Sequence, residues 1–301
     1  MAKVLLIDGN SWGHAAHHAT KLTSGELQTQ AVFGFLKTLR DKKAEHPGFT
    51  PLVLWDGRAK WRYDMHPAYK SNRDNDPKKV AEREHYKAQR PYIARCLEHL
   101  DVRQMSAPTH EADDLAGYMV AKLTAQPGNE IILSTGDMDW IQLVRPNVTW
   151  MDHRNDAKVV TVGNLMDKTG FPTPYAFLEG KCLTGDSSDV IPGVGGIGDK
   201  GAPEFIAEFG SVRKFWQRCD SGEFAPKRKA HCNLASPEGR AAFKRNFRLM
   251  QLLKVAAPDQ KDVRVTPGKF DADKLAEVFE ELAFTSILRT LDNFIKPFKG
   301  H

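Results

Sequence analysis

The amino-acid sequence predicts an α/β fold in which a mostly parallel central sheet is flanked by helices. Three short apolar runs, Lys3 to Ile7, Leu52 to Trp55 and Glu130 to Ser134, have the continuous hydrophobicity of buried parallel strands. Between the second and the third run, apolar residues from Ala112 to Leu123 recur at the spacing of a helix face that packs on a sheet. Strands that alternate with helices are typical of a doubly wound sheet, whose ligands bind outside the carboxyl ends of the strands.

The remaining elements divide the chain into two regions. A helix is predicted from Gln30 to Leu39, and beyond about Phe171 the pattern changes to helices. One of these ends at Phe209, with Gly210 as its cap, and residues 271–298 form an amphipathic helical pattern that we expect to pack rather than to catalyse. We therefore expect an α/β core over residues 1–175 and a helical region over residues 176–301.

Basic residues are concentrated in two stretches of the chain. The net charge is +5, with an isoelectric point near 8.9. Residues 58–95 contain eleven Lys or Arg against five Asp or Glu, and in residues 227–254 the basic side chains are opposed only by Glu238. Two such patches suit a polyanion as partner, although a solvated helix face is the simpler interpretation of either patch alone.

Nothing in the sequence indicates a membrane protein or a disulfide framework. No apolar run approaches the roughly 20 residues that span a bilayer, and the segment from Met1 to Asp8 is too short for a signal peptide. The four cysteines are widely spaced and include no CxxC pair, which argues against disulfides and against a thiolate zinc site. We expect a cytoplasmic monomer without a membrane partner.

Carboxylates recur where apolar strands end or helices begin. They are Asp8, Asp56, Glu111, Asp113, Asp114, Asp137, Asp139, Asp186 and Asp189. Because the carboxyl ends of parallel strands meet at one edge of a sheet, Asp8, Asp56 and Asp137 should lie together. Clustered carboxylates repel one another and raise one another's pKa, so a fold that gathers them usually binds hard divalent cations. The sequence therefore predicts a metal-dependent enzyme.

A glycine-rich loop, residues 191–198, opens the helix that ends at Phe209. Backbone N–H groups in such a loop can bind an anion, here a backbone phosphate. The spacing is not that of a P-loop, and no suitable strand precedes the loop for a dinucleotide site. The pattern is typical of helix-hairpin-helix DNA binding, and a tight turn that requires glycine is the alternative.

Taken in order, seven short motifs resemble those of the 5′ nuclease or flap endonuclease family. They are Ile7-Asp8-Gly9-Asn10, Trp55-Asp56, Tyr69-Lys70-Ser71-Asn72-Arg73, Glu111-Ala112-Asp113-Asp114, Ser134-Thr135-Gly136-Asp137-Met138-Asp139, Gly185-Asp186-Ser187-Ser188-Asp189 and Gly193-Val194-Gly195-Gly196-Ile197-Gly198-Asp199-Lys200. The resemblance spans roughly residues 4–210. In size the chain looks like the stand-alone bacteriophage members, which combine 5′-3′ exonuclease, flap endonuclease and RNA-primer-removing activity.

The resemblance implies a PIN-like 5′ nuclease core and a two-metal phosphodiesterase. Its ions would be two Mg²⁺, for which Mn²⁺ can substitute. Carried over residue by residue, the ligands of the first ion would be Asp8, Asp56, Glu111 and Asp113, and those of the second Asp114, Asp137, Asp139, Asp186 and Asp189. The catalytic residues would be Lys70 and Arg73, which match the family's contacts to the scissile phosphate, together with Asp139.

The resemblance also implies how DNA is held. Residues 58–95 would form a helical arch for a single-stranded 5′ arm, with Arg62 as a further basic contact and Tyr69 stacked on an unpaired base. A helix-three-turn-helix over about residues 180–210 would grip the duplex and a potassium ion. Its DNA-binding residues would be Lys181, Gly193, Val194, Gly195, Gly196, Ile197, Gly198 and Lys200. The partners would be DNA with 5′ flaps or 5′ ends, and RNA–DNA hybrids, in a bacterial or phage-infected cell.

Two alternatives remain open at this point. One is a junction-binding module that hydrolyses nothing, although its acids would then only repel DNA. The other is a ribonuclease of the related PIN-like architecture, which is usually shorter and lacks both the arch and the glycine-rich loop.

Overall fold

The computed structural model describes residues 1–299 and is built around a seven-stranded sheet. The strands are β1 (Lys3–Asp8), β2 (Thr23–Ser24), β3 (Leu27–Gln28), β4 (Thr50–Trp55), β5 (Arg103–Ser106), β6 (Glu130–Ser134), β7 (Val148–Met151), β8 (Val159–Val160), β9 (Gly185–Asp186), β10 (Ile191–Pro192) and β11 (Arg264–Thr266). The α-helices are α1 (Gly9–Ala19), α2 (Gln30–Glu45), α3 (Lys60–Met65), α4 (Pro77–His99), α5 (Ala112–Thr124), α6 (Leu165–Thr169), α7 (Pro174–Thr184), α8 (Gly201–Phe209), α9 (Val212–Asp220), α10 (Lys229–Ala235), α11 (Pro237–Met250), α12 (Ala272–Glu281), α13 (Thr285–Leu288) and α14 (Leu291–Ile295). Short 3₁₀ helices cover Ser71–Asp74, Met138–Leu143 and Lys296–Phe298.

The sheet has the order β11-β5-β4-β1-β6-β7-β8. The five central strands, β5 to β7 in that order, are parallel, and the two edge strands run antiparallel to their neighbours. In the middle of the sheet β1 pairs with β4 on one side and β6 on the other, so that Ile7 lies opposite both Val53 and Ser134. The prediction of an α/β fold with a mostly parallel sheet is confirmed.

Two apolar clusters cover the two faces of the sheet. Helix α5, the 3₁₀ helix Met138–Leu143 and helices α7 to α11 contribute to one cluster, which contains Trp140 and Phe205. Helices α1, α2, α4 and α12 to α14 contribute to the other, which contains Trp12 and Phe35. Within residues 1–299, no helix is long and apolar enough to cross a membrane.

The carboxyl-terminal part of the chain, which lies within the helical region expected over residues 176–301, packs against the α/β core. Strand β11 extends the sheet by pairing with β5, and Leu275 and Phe279 of α12 are buried in the same cluster as Ile93 of α4. The three residues of β11 are all exposed, so this short strand has no buried apolar run by which its sequence could identify it. The helical region inserted into the core therefore consists of α7 to α11.

The basic stretch 58–95 is only partly an exposed arch. Helix α4 begins in the open, but Tyr86, Gln89 and Ile93 on its second half are buried against the core. Arg62 on α3 is buried as well. The longest exposed part of this stretch is therefore shorter than predicted and lies around Ser71 to Lys87.

Candidate functional site

Three carboxylates lie side by side at the carboxyl edge of the sheet. Asp8 ends β1, Asp56 follows β4, and Asp137 follows β6 after a short turn. Because these strands are neighbours, their acids converge as the sequence predicted. Asp8 is buried and accepts hydrogen bonds from the Ser11 N–H at 2.9 Å and from the Thr135 hydroxyl at 2.8 Å. The bond from Ser11 makes Asp8 the N-cap of α1.

Asp113, on the first turn of α5, joins these three acids. Burial, together with repulsion from Asp137, Asp8 and Asp56, raises its pKa well above the usual range. Burial and repulsion from Asp56 raise the pKa of Asp8 to about 6. The pKa of Asp137 is also raised, by its enclosure and by repulsion from Asp139, although part of its side chain faces solvent. These carboxylates are therefore close enough to destabilise one another's charged forms.

The donor chemistry of this group fits a divalent cation. Its ligands are carboxylate oxygens, which suit hard ions such as Mg²⁺ and Mn²⁺, and a positive charge among them would relieve their repulsion. As the side chains stand in residues 1–299, no three Asp, Glu, His or Cys form a ready metal-binding group. Hydrogen bonds and lysine ammonium groups hold the carboxylates instead, so the acids would have to turn to share an ion.

Lys70 bridges two of the acids. Its Nζ lies 2.7 Å from Glu111 Oε1 and 3.7 Å from Asp189 Oδ2, and Arg73 Nη2 lies 3.4 Å from Asp189 Oδ1. The Lys70 backbone has a left-handed φ of 57°, and its N–H donates to the Asp189 carbonyl at 3.0 Å. A lysine in this conformation costs on the order of 1–2 kcal/mol, and such strain is concentrated at functional sites.

Lys181, on α7, makes an equivalent bridge on the other side of the cleft. Its Nζ lies 2.9 Å from Asp139 Oδ1 and 3.7 Å from Asp186 Oδ2, and these charges raise its pKa against the effect of burial. Asp186 also accepts from the Ser188 N–H at 2.7 Å and from its hydroxyl. Lys181 was predicted to contact DNA, and in the structure its ammonium group is paired with Asp139 and Asp186.

Asp114 does not face the cleft, which corrects its assignment as a metal ligand. Both its oxygens are bound by Arg62, whose Nη1 and Nη2 lie 2.7 and 2.5 Å away. Asp114 also accepts the Glu111 N–H at 3.0 Å and so completes a capping box at the start of α5. Arg62 is 2% exposed and donates its Nε–H to the Leu249 carbonyl, so it cannot reach DNA as predicted.

The assignment of Tyr69 as a base-stacking residue is also wrong. Tyr69 is only 3% exposed, and its hydroxyl donates to Glu111 Oε2 at 2.8 Å. Glu111 is thereby held by both Tyr69 and Lys70, and their positive and hydrogen-bonding groups lower its pKa against the effect of burial. Tyr69 therefore holds the buried Glu111 next to Lys70, and its own ring is not exposed to a base.

The cleft has a volume of about 1080 Å³ and is lined by charged side chains of both signs. Its acids are Asp8, Asp56, Asp113, Asp137, Asp139, Asp186 and Asp189, and its cations are Lys70, Arg73, Arg83, Lys87, Arg90, Arg154 and Lys181. An acidic floor surrounded by cations can bind a phosphodiester and also place divalent ions beside it.

The glycine-rich loop lies outside this cleft. Gly195 and Gly196 have φ values of 73° and 83°, which other residues rarely adopt, so glycine is required for the turn itself. Asn246 holds the loop by donating to the Pro192 carbonyl at 2.8 Å. Together with Lys200, the loop forms the wall of a separate groove that also includes Arg228. Helix α10 places part of the second basic stretch beside the loop.

Comparison with known proteins matches both parts of the chain to one family. A model described as the 5′-3′ exonuclease N-terminal resolvase-like domain matches residues 3–170, and one described as the 5′-3′ exonuclease C-terminal SAM fold matches residues 172–268.

The chain belongs to the 5′-3′ exonuclease family.

The curated relatives are much longer proteins. The chain is 34% identical over 220 residues to the thermostable DNA polymerase I of Thermus filiformis, which covers 72% of this chain and 25% of the relative. It is 29% identical over 300 residues to DNA polymerase I of Bacillus subtilis, covering 96% of this chain and 32% of the relative. The chain thus spans about a third or less of the length of these relatives.

Solved structures have the same fold as this member of the 5′-3′ exonuclease family. A complex of the bacteriophage T5 flap endonuclease with DNA and metal ions has a TM-score of 0.70 at 22% identity, covering 98% of this chain and 97% of that one. Divalent zinc is bound in a further structure of the T5 5′-exonuclease, with a TM-score of 0.71 at 22% identity, covering 94% and 98%. The catalytic core of Rad2 in complex with DNA substrate has a TM-score of 0.59 at 15% identity, covering 100% and 92%.

Sequence analysis missed several residues that shape the site. Asn10 donates to Asp56 Oδ2 at 2.5 Å, and the indole N–H of Trp140 donates to Asp113 at 2.7 Å. Both lie within or directly beside motifs that contain acids, which is the signal that could have identified them. Arg154 also lines the cleft, but it lies far from any motif in sequence.

Proposed function

We propose that this chain is a structure-specific 5′ nuclease that hydrolyses DNA at 5′ ends and at 5′-flap junctions. One observation supports the proposal, namely that repelling acids and Lys and Arg side chains share a single cleft at the carboxyl edge of the sheet. The central members of this set are Asp8, Asp56, Asp113, Asp137, Asp139, Lys70 and Arg73. The family gives the reaction class, and this cleft supplies groups suited to it.

The cofactor that we propose is a pair of Mg²⁺ ions, for which Mn²⁺ can substitute. The carboxylates available to hold them are Asp8, Asp56, Glu111, Asp113, Asp137, Asp139, Asp186 and Asp189. When bound, two such ions lower the pKa of an attacking water and stabilise charge on the attacking and leaving oxygens. Asp114 is excluded because Arg62 binds both its oxygens.

The cations of the cleft would orient the phosphodiester. Lys70 and Arg73 share Asp189 as a partner, and Lys181 is paired with Asp139. These lysines neutralise acids that we assign to the metal ions. If metal ions neutralise those acids instead, the ammonium groups are free to donate to phosphate oxygens, where charge develops in the transition state.

A second surface would grip the duplex. The glycine-rich loop, Lys200 and Arg228 line one groove about the start of α8. Exposed backbone N–H groups and cations of this kind bind phosphates without reading sequence. We propose that the segment from α7 to α8 acts as a helix-three-turn-helix, that its loop carbonyls hold K⁺, and that RNA–DNA hybrids are accepted as well as DNA.

Cleavage of matched 5′-flap, 3′-flap and plain duplex DNAs, each labelled at either end, tests the proposal. We expect incision at the 5′-flap junction and at duplex 5′ ends in Mg²⁺, with a 5′-phosphate left on the downstream strand and no incision in excess chelator. Equal cleavage of 3′ flaps, or cleavage that persists in chelator, would contradict it.

The alternative is a module that binds junctions without cutting them. It would show tight 5′-flap binding with no incision in either Mg²⁺ or Mn²⁺. The strained backbone of Lys70 and the mutual repulsion of the acids argue against this alternative, since a binder gains nothing from either.

A further inference from the structure

One cation of the cleft comes from outside the basic segment. Lys70, Arg73, Arg83, Lys87 and Arg90 all lie within residues 70–90, and Lys181 lies on α7. Arg154 instead follows β7, which neighbours β6 in the sheet. Because Asp137 follows β6, Arg154 extends the row formed by Asp56, Asp8 and Asp137 by one further strand.

A buried carboxylate fixes the orientation of this guanidinium. Asp152 is 2% exposed, and its oxygens lie 2.8 Å from Arg154 Nε and 2.9 Å from Nη2, while the Arg154 N–H donates to it at 3.0 Å. These hydrogen bonds hold the pKa of Asp152 below its usual range despite burial. Lys158 Nζ lies 3.8 Å from the same carboxylate, so two cations share one acid and the cluster is net positive.

The guanidinium also contacts the loop that carries Asp137. Arg154 Nη2 donates to the Gly136 carbonyl at 3.3 Å, and a Cβ atom at Gly136 would lie 2.7 Å from Arg154 Cζ. Glycine at this position therefore allows the close approach. Nη1 makes no hydrogen bond within residues 1–299, and the Arg154 side chain is 54% exposed toward the cleft.

We propose that Arg154 is a substrate-contacting residue that binds a backbone phosphate next to the scissile one, with Asp152 as its positioning residue. A guanidinium whose inner edge is held in a fixed fork presents its outer N–H groups to phosphate oxygens at little entropic cost. The inference rests on the proposed function, because it needs a DNA strand in the cleft. It adds a contact at the β7 end of the row of acids, whereas residues 70–90 would hold the strand at other points.

Binding of a 5′-flap DNA without divalent metal, measured against salt concentration, tests the contact separately from cleavage. Arg154→Ala should weaken binding about tenfold, the loss expected of a charge-assisted contact, and reduce the slope of log K against log [salt] by roughly one. Lys158→Ala is the matched control, because Lys158 shares Asp152 but does not line the cleft. This substitution should leave both the affinity and the salt slope unchanged. Arg154→Lys should restore the slope and only part of the affinity.

Two further measurements separate phosphate contact from support of the Gly136 loop. In the first, single phosphates of the DNA are replaced in turn by uncharged methylphosphonates. At the phosphate that Arg154 contacts, the replacement should weaken binding by the wild type but should not weaken binding by Arg154→Ala any further. In the second, Asp152→Asn as a single substitution should weaken DNA binding, but it should cause no further loss of affinity when combined with Arg154→Ala. If Arg154→Ala keeps the wild-type salt slope and methylphosphonate profile, the inference is overturned, even where cleavage of 5′ flaps by the wild type upholds the proposed function.

Discussion

Breaking the buried pair of Arg62 and Asp114 should destabilise the fold severely. Their side chains are 3% and 0% exposed, and Arg62 makes two hydrogen bonds to Asp114, one to the Leu249 carbonyl and a longer one, 3.4 Å, to Glu111 Oε2. Arg62→Ala would leave the Asp114 charge buried and unpaired, which typically costs about 3–5 kcal/mol. The free energy of unfolding of a domain is about 5–15 kcal/mol, so the loss would be roughly a fifth of it or more.

Urea unfolding followed by circular dichroism measures this cost, provided that the m-value stays constant. Lys60→Ala is the control two residues away on α3, because Lys60 pairs with the exposed Asp64 and should contribute less than about 1 kcal/mol. Replacing both partners, as in Arg62→Met with Asp114→Leu, should recover much of the loss, since both charges then leave the interior together. An Arg62→Ala variant of normal stability whose DNA binding has a smaller salt slope would refute this reasoning and restore Arg62 as a DNA contact.

Three further outcomes are expected. Asp137→Ala and Asp139→Ala should each lower the cleavage rate by more than roughly 100-fold, which is the cost of losing a hydrogen-bond partner of a metal ligand. DNA affinity in a filter or anisotropy assay should stay largely intact. Near-normal turnover in both variants would remove these residues from the metal site. Lys70→Ala should slow the single-turnover rate more than it weakens binding, because its charge matters most as phosphate charge develops; unchanged single-turnover rates with weaker binding would make Lys70 a steering residue. Burial raises the pKa of Glu179 to about 7 from an ordinary value of 4.5, so its contribution to stability is full below pH 4.5 and is lost as pH rises toward 7. Glu179→Gln should therefore raise the unfolding free energy by up to about 3 kcal/mol at pH 8, and a pH-independent difference between the two proteins would contradict that origin.

The sheet and its acidic edge could be predicted from the sequence because their signals are local. The runs that became β1, β4 and β6 are buried on both faces, and each brings an acid to the same edge. Sequence position alone could not distinguish Asp113 from Asp114. Successive helical residues point about 100° apart, since there are 3.6 residues per turn. One therefore faces the cleft and the other the interior.

The errors arose where tertiary contacts override the usual behaviour of a residue type. Arginine is rarely buried, so Arg62 was expected on the surface, and its partner Asp114 is 52 residues away. Tyr69 was expected to expose its ring, but burial of the ring and a bond to Glu111 replace stacking. Strand β11 has no apolar run of its own, and only its pairing with β5 shows that it belongs to the sheet.

Because β11 and α12 return to the sheet, the helical region from α7 to α11 is joined to the core at both ends. A region joined by one connection can swing about a single hinge, but one inserted between two core segments cannot turn unless both connections bend together. The spacing between the glycine-rich loop and the row of acids is thus set by the topology of the chain. If the glycine-rich loop grips a duplex as proposed, this fixed spacing would set the distance along the duplex between the loop and the bond that is cut.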